Sequence, residues 1–192
     1  MKLEKLGTLV ANQYNAHHEG RDEWADWLYQ NHVLWVAHKT NEFCKRFNGD
    51  GSIAVSAALL HDIADSVMQR EQAGHEQKSL EIGRTLALEA GYSVEETAII
   101  IDDICAKHSC RDGIIPESNE GKLMAAADAC AHFQTEFYLF AFNQGSNFGD
   151  YDYLKNWARK KIEKDFSKKI FHAEIRAEVR PDYETWQRVF NY

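Results

Sequence analysis

An apolar segment that ends in two charged residues places the strongest constraint on how this chain folds. Residues 53–60 are apolar apart from Ser56, and His61 and Asp62 follow directly. A helix without a polar face is buried on all sides. Buried imidazole and carboxylate groups are costly unless they form hydrogen bonds or bind a metal ion. The pair therefore predicts either a buried histidine beside a capping or ion-paired aspartate, or a metal site inside the protein.

Four other segments carry a polar residue on, or at the end of, a predicted apolar helix face. Any one of them alone is explained most simply as a satisfied core histidine or an ion-paired carboxylate. Four helices of a bundle can, however, direct such side chains to one interior point, and imidazole and carboxylate together suit one or two borderline transition metals. One shared metal site is a simpler explanation than five coincidences. The four residues are His32, His75, His108 and Asp128.

Asp128 and the residues around it predict a close helix contact. The side chain lies among the small residues of segment 125–131. A buried carboxylate is costly without a compensating charge, so we expect a positive group opposite it. His132 is one helical turn further along, which predicts that it lies beside Asp128 and orients the site from outside the ligand set.

Local signals mark where several helices begin and end. One helix is predicted from about Glu23 to Phe47, and Gly51-Ser52 is expected to cap the next. The polar segment at 65–73 is interpreted as a loop. A further helix is predicted to end at Gly91, and Ser93 and Glu96 form a capping box that starts another.

The helical patterns extend along the chain, and we predict an all-α fold, with residues 1–192 forming a single domain. The sequence has only two prolines and no segment with the composition of a linker. No apolar run approaches the roughly 18 residues of a membrane span, so no membrane partner is expected. The four cysteines lack a C-x-x-C pair, which predicts buried, reduced thiols in a cytoplasmic protein. The formal charge of −8 argues against nucleic-acid binding through the whole surface.

The ordered set His, His-Asp, His, His, Asp resembles that of the HD-domain superfamily of metal-dependent phosphohydrolases, and is most similar to small bacterial HD hydrolases that act on nucleotides. The resemblance covers about residues 23–135, with residues 150–192 as a C-terminal helical extension. It includes the contexts Ala58–Ile63, Gly74-His75, Lys107–Ser109 and Gly121–Leu123. The resemblance implies a helical bundle of the HD-domain type.

The resemblance also implies which residues bind metal. One divalent ion would be bound by His32, His61, Asp62 and Asp128. Family members with two further histidines hold a second ion, which here would involve His75 and His108 with Asp62 as the bridging ligand. The sequence leaves open whether one or two ions are bound, and whether they are Mn, Fe, Co, Ni or Mg.

Asp62 and Asp65 are the predicted catalytic residues. Cyclic-dinucleotide phosphodiesterases of the superfamily have lysine where this chain has Asp65, and they carry a later Gly-Tyr-Pro motif that is absent here. An acidic residue at this offset resembles nucleotidase members, in which the carboxylate positions or deprotonates the attacking water. The alternative is that Asp65 only caps or solvates the end of the central helix.

The expected partner is a small phosphorylated substrate, foremost a nucleotide, and a homo-oligomer is compatible with the sequence. Candidate phosphate contacts are Arg21, Lys107, Arg111 and Lys122, each of which is otherwise explained as surface charge. Two further function classes stay open. A di-iron oxygenase of the myo-inositol oxygenase type uses the same ligand set, and a non-catalytic regulatory or nucleic-acid-binding HD domain could use the lysine-rich C-terminal helix.

That last helix is predicted from about Asp150 to Pro181, after a polar loop at 143–149 that could cover the site. Its lysines are interpreted as a solvated face, with a basic patch beside a nucleotide site as the alternative. The cluster consists of Lys155, Arg159, Lys160, Lys161, Lys164, Lys168 and Lys169, and the predicted apolar face consists of Ile162, Phe166, Ile170, Ala173 and Ala177.

Overall fold

The computed structural model describes residues 1–144 and 150–191, and within these ranges the chain is helical without a β-strand. The predicted all-α fold is confirmed. Residues 145–149 of the predicted polar loop lie outside the described residues. The α-helices are α1 (Lys2–Asn15), α2 (Ala25–Leu28), α3 (Leu34–Phe47), α4 (Gly51–Leu60), α5 (His75–Ala90), α6 (Val94–Ala98), α7 (Asn119–Gln134), α8 (Phe137–Asn143), α9 (Tyr151–Lys164) and α10 (Ala173–Asn191).

Helix α4 is the apolar segment identified in the sequence, and it lies at the centre of the bundle. It contacts α1, α3, α5 and α7. Ala54, Ala57, Ala58 and Leu60 are fully buried, and the short alanine side chains let neighbouring helices approach closely. The helix ends at Leu60, so the next two residues, the His-Asp pair, enter the interior of the protein.

The N-terminus of α4 differs from the sequence-based expectation that Gly51-Ser52 forms the cap. Asp50 is the capping residue, because its carboxylate accepts hydrogen bonds from the backbone N–H groups of Ser52 and Ile53 at 2.8 and 3.3 Å. An aspartate there satisfies two N–H groups that have no partner within the helix. The other predicted caps are confirmed: Ser93 forms a capping box with Glu96, and Gly91 ends α5 in a left-handed conformation.

Three π-helical segments interrupt the regular helices in the described ranges. They are Tyr29–Val33 between α2 and α3, Ile99–Cys105 after α6, and Asp165–Lys169 after α9. A π-helical turn adds a residue to the turn and rotates the side chains that follow, and such turns are frequent at functional sites. The helix predicted from Glu23 to Phe47 is therefore confirmed in its approximate extent, but it contains a π-helical segment that the sequence did not predict.

The C-terminal region is two helices rather than the single one predicted from Asp150 to Pro181. Residues 170–172 are not helical, and α10 then continues through Pro181 to Asn191. Ile162, Phe166 and Ile170 are buried as predicted, whereas Ala173 and Ala177 are exposed. The break resets the helical register, so that Ile175 and Val179 face the core in their place.

The buried apolar residues form one cluster that extends from Leu6 in α1 to Phe190 in α10. None of the helices in the described part of the chain is long and apolar enough to cross a membrane. All four cysteines are free and buried, in agreement with the sequence analysis.

Substitution of Asp50 tests its role as the N-terminal cap of α4. Replacing it with alanine removes the acceptor for two backbone N–H groups, and we expect the free energy of unfolding to fall by about 1 kcal/mol. Asp50→Asn keeps an oxygen acceptor and should cost less. Urea denaturation of the two variants and the wild type would measure this, and equal stabilities for all three would contradict the assignment.

Candidate metal centre

His61, directly after α4, is the centre of the predicted ligand set. Its Nε2 atom lies 3.4 Å from Nε2 of His32, 3.3 Å from Oδ2 of Asp62 and 3.9 Å from Oδ1 of Asp128. These side chains come from the first π-helical segment, the end of α4 and the middle of α7, and all are buried. The structure thus brings together the four residues predicted to bind one ion.

Two groups of side chains in the described ranges could each hold a metal ion. One consists of His32, His61 and Asp128, and the other of His61, Asp62 and His108. Within each group the ligand atoms all lie within 4.8 Å of one another. Because His61 belongs to both, the two groups form one continuous constellation that can hold one ion or a closely spaced pair.

Hydrogen bonds to backbone carbonyls orient the rings of two of the histidines. Nδ1 of His61 lies 2.8 Å from the carbonyl oxygen of Ala58, and Nδ1 of His108 lies 2.6 Å from that of Cys105. A carbonyl can only accept, so each Nδ1 carries a proton that it donates. The Nε2 atom of each ring then faces the site, which is the arrangement found for histidine ligands of metals.

The facing nitrogens of His32 and His61 show that this arrangement fits a cation. His32 is fully buried, and its Nδ1 has no hydrogen-bond partner among the residues that the structure describes. Nε2 of His61 lies 3.4 Å from Nε2 of His32, which is itself 3.2 Å from Oδ1 of Asp128, so a positive charge among these three atoms is stabilised. Burial opposes a charge on His61, but Asp62 outweighs it and raises the pKa of His61. A proton can therefore supply that charge in the absence of metal, and metal binding would release it.

Asp128 has the positive partner that the sequence analysis required. Lys169, from the third π-helical segment, forms an ion pair with Oδ2 of Asp128, whereas Oδ1 lies 3.2 Å from Nε2 of His32. Burial opposes ionisation of Asp128, but the charge of Lys169 holds its pKa well below the usual range. Lys169 is 2 % exposed, so its assignment to a solvated face was wrong.

His132 lies beside Asp128, as predicted. Its Nε2 is 3.5 Å from Oδ1 of Asp128, and its Nδ1 is 2.9 Å from Oδ2 of Asp165. Lys161 lies 3.3 Å from the same oxygen of Asp165. Burial, followed by the charge of Lys161, lowers the pKa of His132 to about 3, so the ring is neutral at physiological pH. A chain of polar contacts thus connects Asp128 to α9.

Arg70 is a central residue of the site that the sequence analysis missed. Its guanidinium forms ion pairs with both Asp62 and Asp65. Burial opposes ionisation of Asp62, but Arg70 and then His61 hold its pKa well below the usual range. The requirement that a buried carboxylate have a cation applied to Asp62 as it did to Asp128, and Arg70 is eight residues away in a polar segment that we had interpreted only as a loop.

Asp65 and His75 contact each other. Nε2 of His75 lies 2.8 Å from Oδ1 of Asp65, and His75 belongs to neither of the two candidate ligand groups. Its role as a ligand of a second ion stays a prediction. Asp65 is 2 % exposed, which excludes a solvated helix end, and both of its oxygens are engaged, by His75 and Arg70.

A cleft of about 430 Å³ opens onto these residues. Arg111, one of the four predicted phosphate contacts, lines it and lies 3.4 Å from Glu76. The other three lie elsewhere among the described residues: Arg21 binds Asp26 and a backbone carbonyl, Lys107 binds Asp103 and Glu117, and Lys122 binds the carbonyl of Glu117. Besides Arg111, the cationic lining comes from Arg70, Lys160, Lys161, Lys164 and Lys169.

The arrangement of these residues can be compared with known protein families. The family model described as HD domain matches residues 29–132, which is more than half of the 192-residue chain. The chain belongs to the HD domain family. The match contains every predicted metal ligand of this HD domain, whereas α9 and Lys169 lie beyond its end. A search of curated proteins and a search of solved structures returned no match.

The Asp128–Lys169 ion pair predicts a large effect of removing its cation. Lys169→Met leaves a carboxylate buried without a positive partner, and in metal-free protein we expect the free energy of unfolding to fall by about 3–5 kcal/mol. The adjacent Lys168 is exposed, so Lys168→Met should change it by less than about 0.5 kcal/mol. Denaturant unfolding measures both, and equal effects of the two substitutions would refute the pairing.

His108 predicts a dependence of stability on pH. Burial, followed by the charge of His61, lowers the pKa of His108 to about 4. An unfolded histidine titrates near about 6.5, so between these values the unfolded chain binds more protons and stability falls as the pH decreases. From pH 7 to pH 5, metal-free wild type should lose about 1–2 kcal/mol more than His108→Gln. Parallel curves for the two proteins would contradict the low pKa.

Proposed function

We propose that this HD domain protein is a metal-dependent phosphohydrolase. Its substrate would be a small phosphorylated metabolite, foremost a nucleotide, in which it cleaves a phosphoester or phosphoanhydride bond. The observation that carries the proposal is that four candidate metal ligands, His61, Asp62, His108 and Asp128, line a cleft that is also lined by six cationic side chains. Metal ligands suit the activation of water, and the cations suit the charge of a phosphoryl group.

The ligands that would hold the metal are His32, His61, Asp62 and Asp128, with His108 available to a second ion. When bound, a divalent metal lowers the pKa of a coordinated water toward about 7 and neutralises phosphoryl charge. Arg70 and Lys169 hold Asp62 and Asp128 in the ionised form that a metal requires. Both aspartate ligands are therefore already ionised in the metal-free protein.

His75 and Asp65 are suited to moving a proton. His75 lines the cleft, and the carboxylate of Asp65 fixes its ring through Nε2. Nδ1 of His75 is then the nitrogen left to exchange a proton with water or with a leaving group. We had predicted that Asp65 acts on the attacking water itself, whereas this geometry supports an action through His75.

The cations of the cleft favour the phosphohydrolase over the oxygenase alternative. The substrate after which myo-inositol oxygenase is named is an uncharged polyol, and it would not compensate the charges of Lys160 and Lys164. A phosphorylated compound would, because phosphoryl oxygens are strong acceptors for charged donors. Activity that persists without dioxygen would separate the two alternatives experimentally.

Substitution of the two aspartates tests the proposal. We expect Asp62→Ala to lose both bound metal and phosphohydrolase activity, because its carboxylate belongs to the ligand set and is the predicted bridge. Asp65→Ala should retain metal but lose rate by about 10²–10⁴-fold, as for the loss of a general acid–base group. The measurements are metal analysis of the purified proteins and hydrolysis of phosphate esters and nucleotides with added Mn²⁺, Co²⁺ or Mg²⁺.

Two controls make this test specific. His38 is an exposed histidine paired with Glu42, so His38→Ala should keep both metal and activity. Circular dichroism should show that each variant remains helical. Turnover by Asp62→Ala at the wild-type rate, or activity that a chelator does not abolish, would leave the proposed mechanism without support.

A further inference from the structure

One wall of the site cleft comes from α9, outside the part of the chain that matches the family model. Trp157, Lys160, Lys161 and Lys164 line the cleft. Their spacing of three, one and three residues places all four on the same face of the helix. Lys169 follows in the π-helical segment and completes this wall. The positive charges of this wall therefore lie outside the segment that matches the family model.

Most of the cations that line the cleft already have a carboxylate partner. Arg70 binds Asp62 and Asp65, and Lys169 binds Asp128. Arg111 lies 3.4 Å from Glu76, and Lys161 lies 3.3 Å from Asp165. Lys160 and Lys164 are different, since neither forms an ion pair with a carboxylate within the described ranges. Two positive charges of this wall are thus left for a ligand.

Lys164 is the more informative of the two, because it is partly buried. A cation that has lost part of its hydration without gaining a partner is destabilised, and an anion in the cleft would compensate it. Burial accordingly lowers the pKa of Lys164, and the charge of Asp165 offsets only part of this effect. Lys160 lies one helical turn before it, is exposed, and can reach the same anion.

A second, larger cleft of about 670 Å³ adjoins this position. Lys160 and Lys164 line both clefts, so they lie between the candidate metal centre and the larger cleft. The larger cleft also contains Ile162, Phe190 and several polar side chains. An elongated ligand with one end at the metal ligands would pass these two lysines on its way into the larger cleft.

We propose that Lys160 and Lys164 form a second anion-binding subsite, which selects substrates with a chain of at least two linked phosphoryl groups. The inference rests on the proposed function, since that function places the reacting phosphoryl group at the metal ligands. A nucleoside diphosphate or triphosphate meets both requirements: one phosphoryl group lies at the metal centre and another contacts the lysines. A simple phosphate monoester satisfies only the first requirement.

The subsite can be tested by binding, without turnover. Metal-stripped, full-length protein would be titrated calorimetrically with inorganic tripolyphosphate and with inorganic phosphate. We expect tripolyphosphate to bind more tightly, and Lys164→Gln to weaken its binding by about tenfold, as for the loss of one charged hydrogen bond. Lys160→Gln should weaken it in the same direction.

Lys168→Gln is the matched control. Lys168 is an exposed lysine one turn after Lys164, and it lines the larger cleft but not the site cleft. Its substitution should leave the affinity for tripolyphosphate within about twofold of the wild type, since surface charges contribute little. The subsite is refuted if tripolyphosphate does not bind, if Lys164→Gln binds like the wild type, or if Lys168→Gln weakens binding as much as Lys164→Gln.

Kinetics separate this inference from the proposed function. With metal present, Lys164→Gln should lower kcat/KM for a nucleoside triphosphate by about tenfold more than for a phosphate monoester. A wild-type protein that binds tripolyphosphate through Lys164 but hydrolyses no phosphate compound would refute the function and leave the subsite intact. A wild-type protein that hydrolyses both compounds, with no selective effect of Lys164→Gln, would refute the subsite and leave the function intact.

Discussion

The rest of the structure depends on two ionised carboxylates held inside a helical bundle. Asp62 and Asp128 are each kept charged by a cation from elsewhere in the chain, Arg70 and Lys169 respectively. Burying such charges is costly, and removing one partner would leave the other uncompensated. Both carboxylates also face the nitrogen of His61. These two ion pairs offset the cost of burying the carboxylates. They also keep both carboxylates ionised, which is the form that binds a divalent metal.

The C-terminal region is part of this site rather than an appendage. Lys169 binds Asp128, and Asp165 connects His132 to Lys161 of α9. These contacts tie a segment beyond the family match to the HD core. They also turn the cationic face of α9 toward the cleft, so the segment that stabilises the ligand set also supplies charges that can select a substrate. The residues proposed to bind metal and those proposed to select the substrate are in this way connected through one helix.

The sequence predicted the features that depend on local pattern or on the type of a residue. The all-α fold, the Ser93 capping box and the positive charge opposite Asp128 all followed from such reasoning and are confirmed. The identity of that charge did not follow, because Lys169 is 41 residues away and looked like one of several surface lysines. The π-helical segments were not predicted, because a search for a 3.6-residue period assumes a regular helix. A π-helical turn departs from that period and changes the direction of the side chains that follow it.

The central claim is that His32, His61, Asp62 and Asp128 bind one divalent ion. Anomalous diffraction at the manganese edge, from crystals grown with Mn²⁺, tests it most directly. The account predicts an anomalous peak within about 2.0–2.3 Å of the imidazole nitrogens and carboxylate oxygens of these residues, with Lys169 still paired to Asp128. A peak only at other residues, or none at saturating Mn²⁺, would contradict the account.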